Sequence, residues 1–272
     1  MQKEAPKPAK GRALLFGLNY SYESCKLQGC INDVLNTVTY LKQLKQVAFT
    51  DIKVCTDDTE QGRRDCMAQN LIRNLYELAL QSHSEQLDFV WIHYSGHGSQ
   101  TLDRNKEELD GMDECLVPSD FRKSGLVPDD IVMAVLRYMN PKTKVVCVFD
   151  CCHSGTIADV KYSWEGPNKC TVENILCNVP AKVLCLSGCR DDQVSMDALD
   201  SQAQAFSGAL TSCLLTVLCE ASSSFSFSSS TTDVNNAFVL LDKLRLKLRE
   251  RGFAQMPKLT TTYNLAREPA FI

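Results

Sequence analysis

The chain has 272 residues, 44% hydrophobic and 23% charged, a near-average globular composition with length enough for a large core. Its formal net charge of −4, without a long Lys/Arg block, argues against a broad grip on nucleic-acid phosphates. The opening MQKEAPKPAKGR lacks a signal-peptide core, and no run reaches the ~18 apolar residues of a membrane span, so a cytoplasmic protein is expected.

Short apolar runs alternate with stretches of helical period. RALLFGLNY (12–20) reads as a strand, and INDVLNTVTYLKQL (31–44) as a helix with Ile31, Val34, Leu35, Val38 and Leu41 on one face. DIKVCTDD (51–58) is a second strand, 63–82 a second helix, and LDFVWIHY (87–94) a third strand. PDDIVMAVLRYM (128–139) has Pro128 and two acids where a helix start favours them, and it leads into the strand TKVVCVFDCC. AKVLCLSGC (181–189) is a further buried strand, followed by a helix from about Ser207 to Ala221. A Ser-rich tract at 222–233 reads as a loop, VNNAFVLLDKLRLKLRERG as an amphipathic helix, and PKLTTTYNL as a closing strand. Such alternation predicts an α/β fold, a mostly parallel sheet with helices on both faces, formed by one domain over 12–272 behind a polar tail at 1–11.

Two strands end in unusual chemistry, FVWIHYSGHG (89–98) and VVCVFDCCHSG (145–155). Ligands of parallel sheets bind beyond the carboxyl ends of the strands, where both motifs would lie. Alternation puts Asp150 and Cys152 on one side of their strand and Phe149 and Cys151 on the other, so Cys151 is expected in the core and Cys152 at the rim. His153 would face away from Cys152. His97, between Gly96 and Gly98, is the better base for a thiol nucleophile and the proton donor for a leaving amine. Backbone N–H groups of Gly98 and Cys152 could cradle an oxyanion.

Each residue also has a plainer reading. Asp150 alone would pass for a turn or capping residue, and Asp33 for a helix N-terminal acid. His93 and His97 could ligate zinc, although H-x-x-x-H suits one helix face rather than a strand end, and His93 reads better as a core histidine. Vicinal Cys151 and Cys152 could form a redox disulfide, which an unsecreted compartment disfavours, and most of the fourteen cysteines sit singly in apolar runs as small hydrophobes.

HYSGHG, followed some fifty residues later by DCCHSG, closely resembles the metacaspases, caspase-related cysteine peptidases. LFGLNY, LQGCINDV, DGMDECLVPSD and PDDI extend the resemblance over most of the chain. It implies a caspase-like fold, Cys152 as nucleophile and His97 as general base. It also implies a pocket for a substrate Arg or Lys built from Asp33, Asp150, Ser95 and Cys30. Two carboxylates in a partly desolvated pocket favour a guanidinium or ammonium and reject an aspartate side chain. Asp113, Asp129, Asp130 and Asp159 match the family's site for an activating calcium, an ion that accepts oxygen ligands from separate loops. The resemblance implies protein or peptide substrates, self-cleavage and a monomer. The alternative is a catalytically silent scaffold that acts by binding partners.

Overall fold

The computed structural model describes residues 7–102, 112–151, 157–188, 197–200, 205–223 and 235–272. The chain begins with β1 (Ala9–Gly17), α1 (Cys30–Gln43) and β2 (Val47–Thr56), then α2 (Glu60–Asp65), α3 (Ala68–Ser84) and β3 (Phe89–Ser95). A polar excursion follows: β4 (Gly98–Leu102), β5 (Met112–Leu116), α4 (Phe121–Ser124) and β6 (Val127–Pro128). Next come α5 (Asp129–Arg137), β7 (Lys144–Asp150), β8 (Tyr162–Gly166), β9 (Lys169–Val172) and β10 (Lys182–Ser187). The remainder comprises β11 (Asp197–Asp200), β12 (Ala205–Gly208), α6 (Ala209–Ser223), α7 (Ala237–Glu250) and β13 (Lys258–Thr261).

Eight strands form the main sheet in the order β2-β1-β3-β7-β10-β13-β8-β9. The first five are parallel, as expected of near-continuous apolar strands, and β13, β8 and β9 extend them antiparallel. β3 and β7, the strands that carry the two motifs, are direct neighbours, with Ser95 opposite Asp150 at their carboxyl ends.

The sheet separates two apolar layers. Leu71, Leu75 and Leu78 of α3 and Val132, Val135 and Leu136 of α5 pack with Val145, Cys147 and Phe149 on one face. Val34 and Leu41 of α1, with α6 and α7, pack with Val146 and Val148 on the other. Both faces are thus covered, and the carboxyl ends of the strands are left for the site.

Several boundaries differ from expectation. β2 spans Val47–Thr56 rather than starting at Asp51. The expected helix over 63–82 is broken into α2 and α3. The break is stabilised from a distance: Asp120 Oδ1 accepts the Ala68 N–H at 2.8 Å, and the Cys66 carbonyl accepts the Ser119 N–H at 3.0 Å. The hairpins β8–β9 and β11–β12 and the small sheet β4-β5-β6 were not foreseen. Most of the Ser-rich tract, 224–233, lies outside the described residues.

Candidate active site

β7 runs from buried apolar residues into Asp150 and Cys151. Cys151 is fully buried and packs in the layer of Phe149, as alternation requires, whereas Val146 and Val148, on the Asp150 side, lie in the other layer. Cys151 is a core residue. Cys152, with His153 and Ser154, lies outside the described residues.

His97 follows β3 by two residues and is fixed along its backbone and its ring. The Tyr20 hydroxyl accepts the His97 amide N–H at 3.0 Å, and the Tyr94 hydroxyl lies 2.9 Å from the His97 carbonyl. The two hydroxyls are 3.0 Å apart and share the Val117 carbonyl, at 2.7 and 3.0 Å. Burial, reinforced by mutual repulsion for Tyr20, pushes both phenols well above their usual range, so both keep their protons as donors. A Cβ at Gly96 would sit 2.8 Å from the Tyr94 oxygen and 2.9 Å from that of Tyr20, so the motif needs glycine there. The His97 ring lies on Tyr20, with centroids 4.7 Å apart, and its Nε2 is 2.7 Å from the Cys25 carbonyl. A carbonyl only accepts, so Nε2 carries the proton and Nδ1 is the basic nitrogen. Gly98, the expected oxyanion donor, opens β4 opposite Leu116.

The expected pocket residues converge. Asp33 lies in the first turn of α1 and is fully buried; Ser95, also buried, donates from Oγ to Asp33 Oδ2 at 2.6 Å. Asp150 is buried beside them, and Cys30, buried too, opens α1. Both acids meet the start of α6. The Gly208 N–H donates to Asp33 Oδ1 and Oδ2 at 2.9 and 3.0 Å, and the Thr211 N–H donates to Asp150 Oδ2 at 2.8 Å. Free N–H groups and the positive end of the helix dipole favour negative charge at this position. A Cβ at Gly208 would collide with Asp150 Oδ2 and lie 2.7 Å from Asp33 Oδ2, so a single glycine lets the backbone close over both carboxylates.

Four residues that complete this arrangement were missed in the sequence. Gly208 and Thr211 cover the acids; a glycine just ahead of a helix was the available signal for the first. Asn19 accepts the N–H groups of Cys30 and Ile31 at 3.0 and 3.3 Å, capping α1 from the preceding loop where Gly29 offers no side chain. Asp57, at the end of β2, accepts the N–H groups of Asn19 and Tyr20 at 2.7 and 2.6 Å. Asp57 is buried, and burial raises its pKa although those bonds oppose the rise.

His93 is a core histidine with both ring nitrogens beside threonine hydroxyls, and its partners differ from those of His97. Among the described residues, no three His, Cys, Asp or Glu side chains stand together so as to hold a metal ion. Asp113 and Asp129 are buried and both raise the pKa of Cys115, Asp130 is exposed on α5, and Asp159 Oδ2 accepts from Asn174 at 2.6 Å. Nor is any helix of the described residues long and apolar enough to cross a membrane.

Comparison with known proteins places this chain in a family. Residues 11–161 match the sequence profile of the metacaspase, peptidase C14 domain, a span that runs from within β1 past β7 and contains both motifs. The chain belongs to the metacaspase family. Metacaspase-1A of Aspergillus fumigatus is 38% identical over 157 residues, which are 57% of this chain and 38% of that protein. Metacaspase-1 of Ajellomyces capsulatus is also 38% identical over 157 residues, 44% of its length. Metacaspase-1 of Meyerozyma guilliermondii is 29% identical over an alignment covering 93% of this chain and 69% of its own. This metacaspase chain thus spans well under half the length of the Aspergillus relative it matches. A crystal structure of a Geobacter sulfurreducens protein superimposes with a TM-score of 0.62 at 22% identity, covering 93% of both chains, which extends the shared fold to nearly the whole metacaspase chain.

Proposed function

We propose that this metacaspase chain is a cysteine endopeptidase that cleaves after Arg or Lys. The observation that carries the proposal is the convergence of Asp33, Asp150 and Ser95 at the ends of α1, β7 and β3, with Ser95 two residues ahead of His97. Two buried carboxylates at one sheet rim match a cationic side chain and repel an acidic one.

In the proposed reaction His97 Nδ1 takes the proton of the Cys152 thiol, and the sulfur attacks the scissile carbonyl carbon. The oxygen of the tetrahedral adduct becomes an oxyanion, for which the N–H groups of Gly98 and Cys152 are the donors expected from the sequence. The C–N bond then breaks as Nδ1–H protonates the amine, leaving a thioester. Water, deprotonated by the same nitrogen, attacks the thioester and frees the carboxylate product and the thiol. The Nε2 bond to the Cys25 carbonyl holds the ring through both proton transfers. No step passes through a metal. Calcium activation belongs to the proposal on the strength of the family resemblance alone, as does self-cleavage.

The test pairs fluorogenic peptides ending in Arg and in Asp, with calcium or chelator, on the parent and on Cys152→Ala. Arg cleavage that is absent from Cys152→Ala is the expected result. Cleavage after Asp would overturn the specificity, and inert parent protein under all conditions would favour the scaffold reading. Asp33→Asn and Asp150→Asn should each cost ~2 to 5 kcal/mol in kcat/KM for Arg peptides, because the substrate cation loses its partner.

A further inference from the structure

His93 lies inside β3, two residues ahead of Ser95, and is 0% exposed. Its Nδ1 is 3.2 Å from Thr37 Oγ1 and its Nε2 is 3.2 Å from Thr211 Oγ1. The two threonines belong to different helices, α1 and α6, which pack on the same face of the sheet. The hydroxyl network fixes the ring's tautomer. Thr37 donates its proton to the Asp33 carbonyl at 2.8 Å, so Thr37 Oγ1 receives the Nδ1–H of His93. Nε2 is then the acceptor, and Thr211 donates to it.

Each end of this bridge touches an acid of the pocket. Thr37 bonds the backbone of Asp33 itself. Thr211, on the other side, holds Asp150 Oδ2 through its own N–H. A neutral imidazole therefore ties the helix that carries Asp33 to the helix start that holds Asp150, and β3, which carries the imidazole, also supplies Ser95. Burial depresses the His93 pKa to about 3, consistent with a ring that stays uncharged beneath two carboxylates. A phenyl ring would fill the same space but would tie neither helix.

We propose that His93 is a positioning residue of the acidic pocket: by bridging Thr37 and Thr211 it sets the spacing of Asp33 and Asp150, and through them the preference for a cationic substrate side chain. The inference rests on the reading of that pocket as the Arg/Lys subsite. A purely structural histidine would lower all activity together, whereas a spacer of two carboxylates acts on the recognition of charge.

The experiment compares matched fluorogenic peptides ending in Arg and in citrulline, its neutral isostere, on the parent and on His93→Phe, His93→Gln, Thr37→Val and Thr211→Val. The parent should prefer Arg strongly. In His93→Phe the ratio of kcat/KM for Arg over citrulline should fall roughly tenfold, carried by KM for the Arg peptide, as expected for the loss of two neutral hydrogen bonds. Each threonine variant should lose part of the ratio, and neither should add to His93→Phe in the double variant. His93→Gln, which keeps a polar end, should recover some of it. An unchanged ratio in folded His93→Phe, or equal losses on both peptides, would overturn the inference. If His93→Phe does not fold, unchanged ratios in both threonine variants would overturn it equally. A parent without preference for Arg would instead defeat the reading of the pocket itself.

Discussion

The hydroxyl of Tyr20 accepts the amide N–H of His97 while the two rings lie 4.7 Å apart, so one residue of the loop after β1 fixes both backbone and ring of the proposed base. Tyr20→Phe keeps the ring and removes the acceptor. We expect kcat to fall by roughly tenfold, the worth of about one buried hydrogen bond left unmade, with KM for Arg peptides little changed. Steady-state kinetics on one Arg peptide check this; a loss confined to KM would contradict it.

Gly208→Ala would place a methyl group against the carboxylates of Asp33 and Asp150, the acids of the proposed pocket. Those oxygens are held by Ser95, Gly208 and Thr211, so the backbone has to retreat and the contacts with Asp33 and Asp150 open. A drop of tenfold or more in cleavage of Arg peptides is expected, at a stability cost of ~1 to 3 kcal/mol. Denaturant midpoints measured beside the kinetics separate the two effects.

Asp57 serves Asn19 and Tyr20 at once, and through them α1 and His97. Asp57→Ala leaves two N–H groups without their acceptor, a cost of about 2 to 5 kcal/mol by urea unfolding. Asp57→Asn retains one acceptor oxygen and should recover roughly half. Indistinguishable midpoints for parent and Asp57→Ala would show that water replaces the carboxylate freely.

Acid should destabilise the protein partly through His93. Its folded pKa, about 3, lies below the ordinary 6.5, so between these values the unfolded chain binds a proton that the folded chain excludes. The unfolding free energy therefore falls as pH drops below about 6.5, by ~2 kcal/mol at pH 5 from this residue alone. Above pH 7 the contribution vanishes. His93→Gln should show a shallower loss between pH 7 and 5 in denaturant titrations; parallel curves would refute the assignment.

How much of this was legible depends on where the determining contacts sit. The apolar runs of β1, β3, β7 and β10 carry their own signal, and the parity of Asp150 and Cys151 follows from the pleat alone. The break between α2 and α3 does not, because apolar spacing continues across Cys66 and Met67 while the Ala68 N–H is capped by Asp120, 52 residues away. β4 is half-exposed and lacks an apolar run, so periodicity had nothing to report. Asp33 and Asp150 could be placed at one rim from topology, but nothing near them in sequence points to Gly208, 175 residues beyond Asp33, as the group that closes over them.

The place of β13 in the main sheet has a consequence for assembly. It lies between β10 and β8, antiparallel to both, yet it is synthesised after every other strand of that sheet. Until it arrives, β10 presents a bare edge beside the strand that leads to Cys152, and the β8–β9 hairpin has no sheet to join. Pairing partners so far apart along the chain meet late and slowly. The nascent protein therefore passes through an interval in which its β10 edge is open to pairing with foreign strands, and insertion of four residues, Lys258–Thr261, ends that exposure.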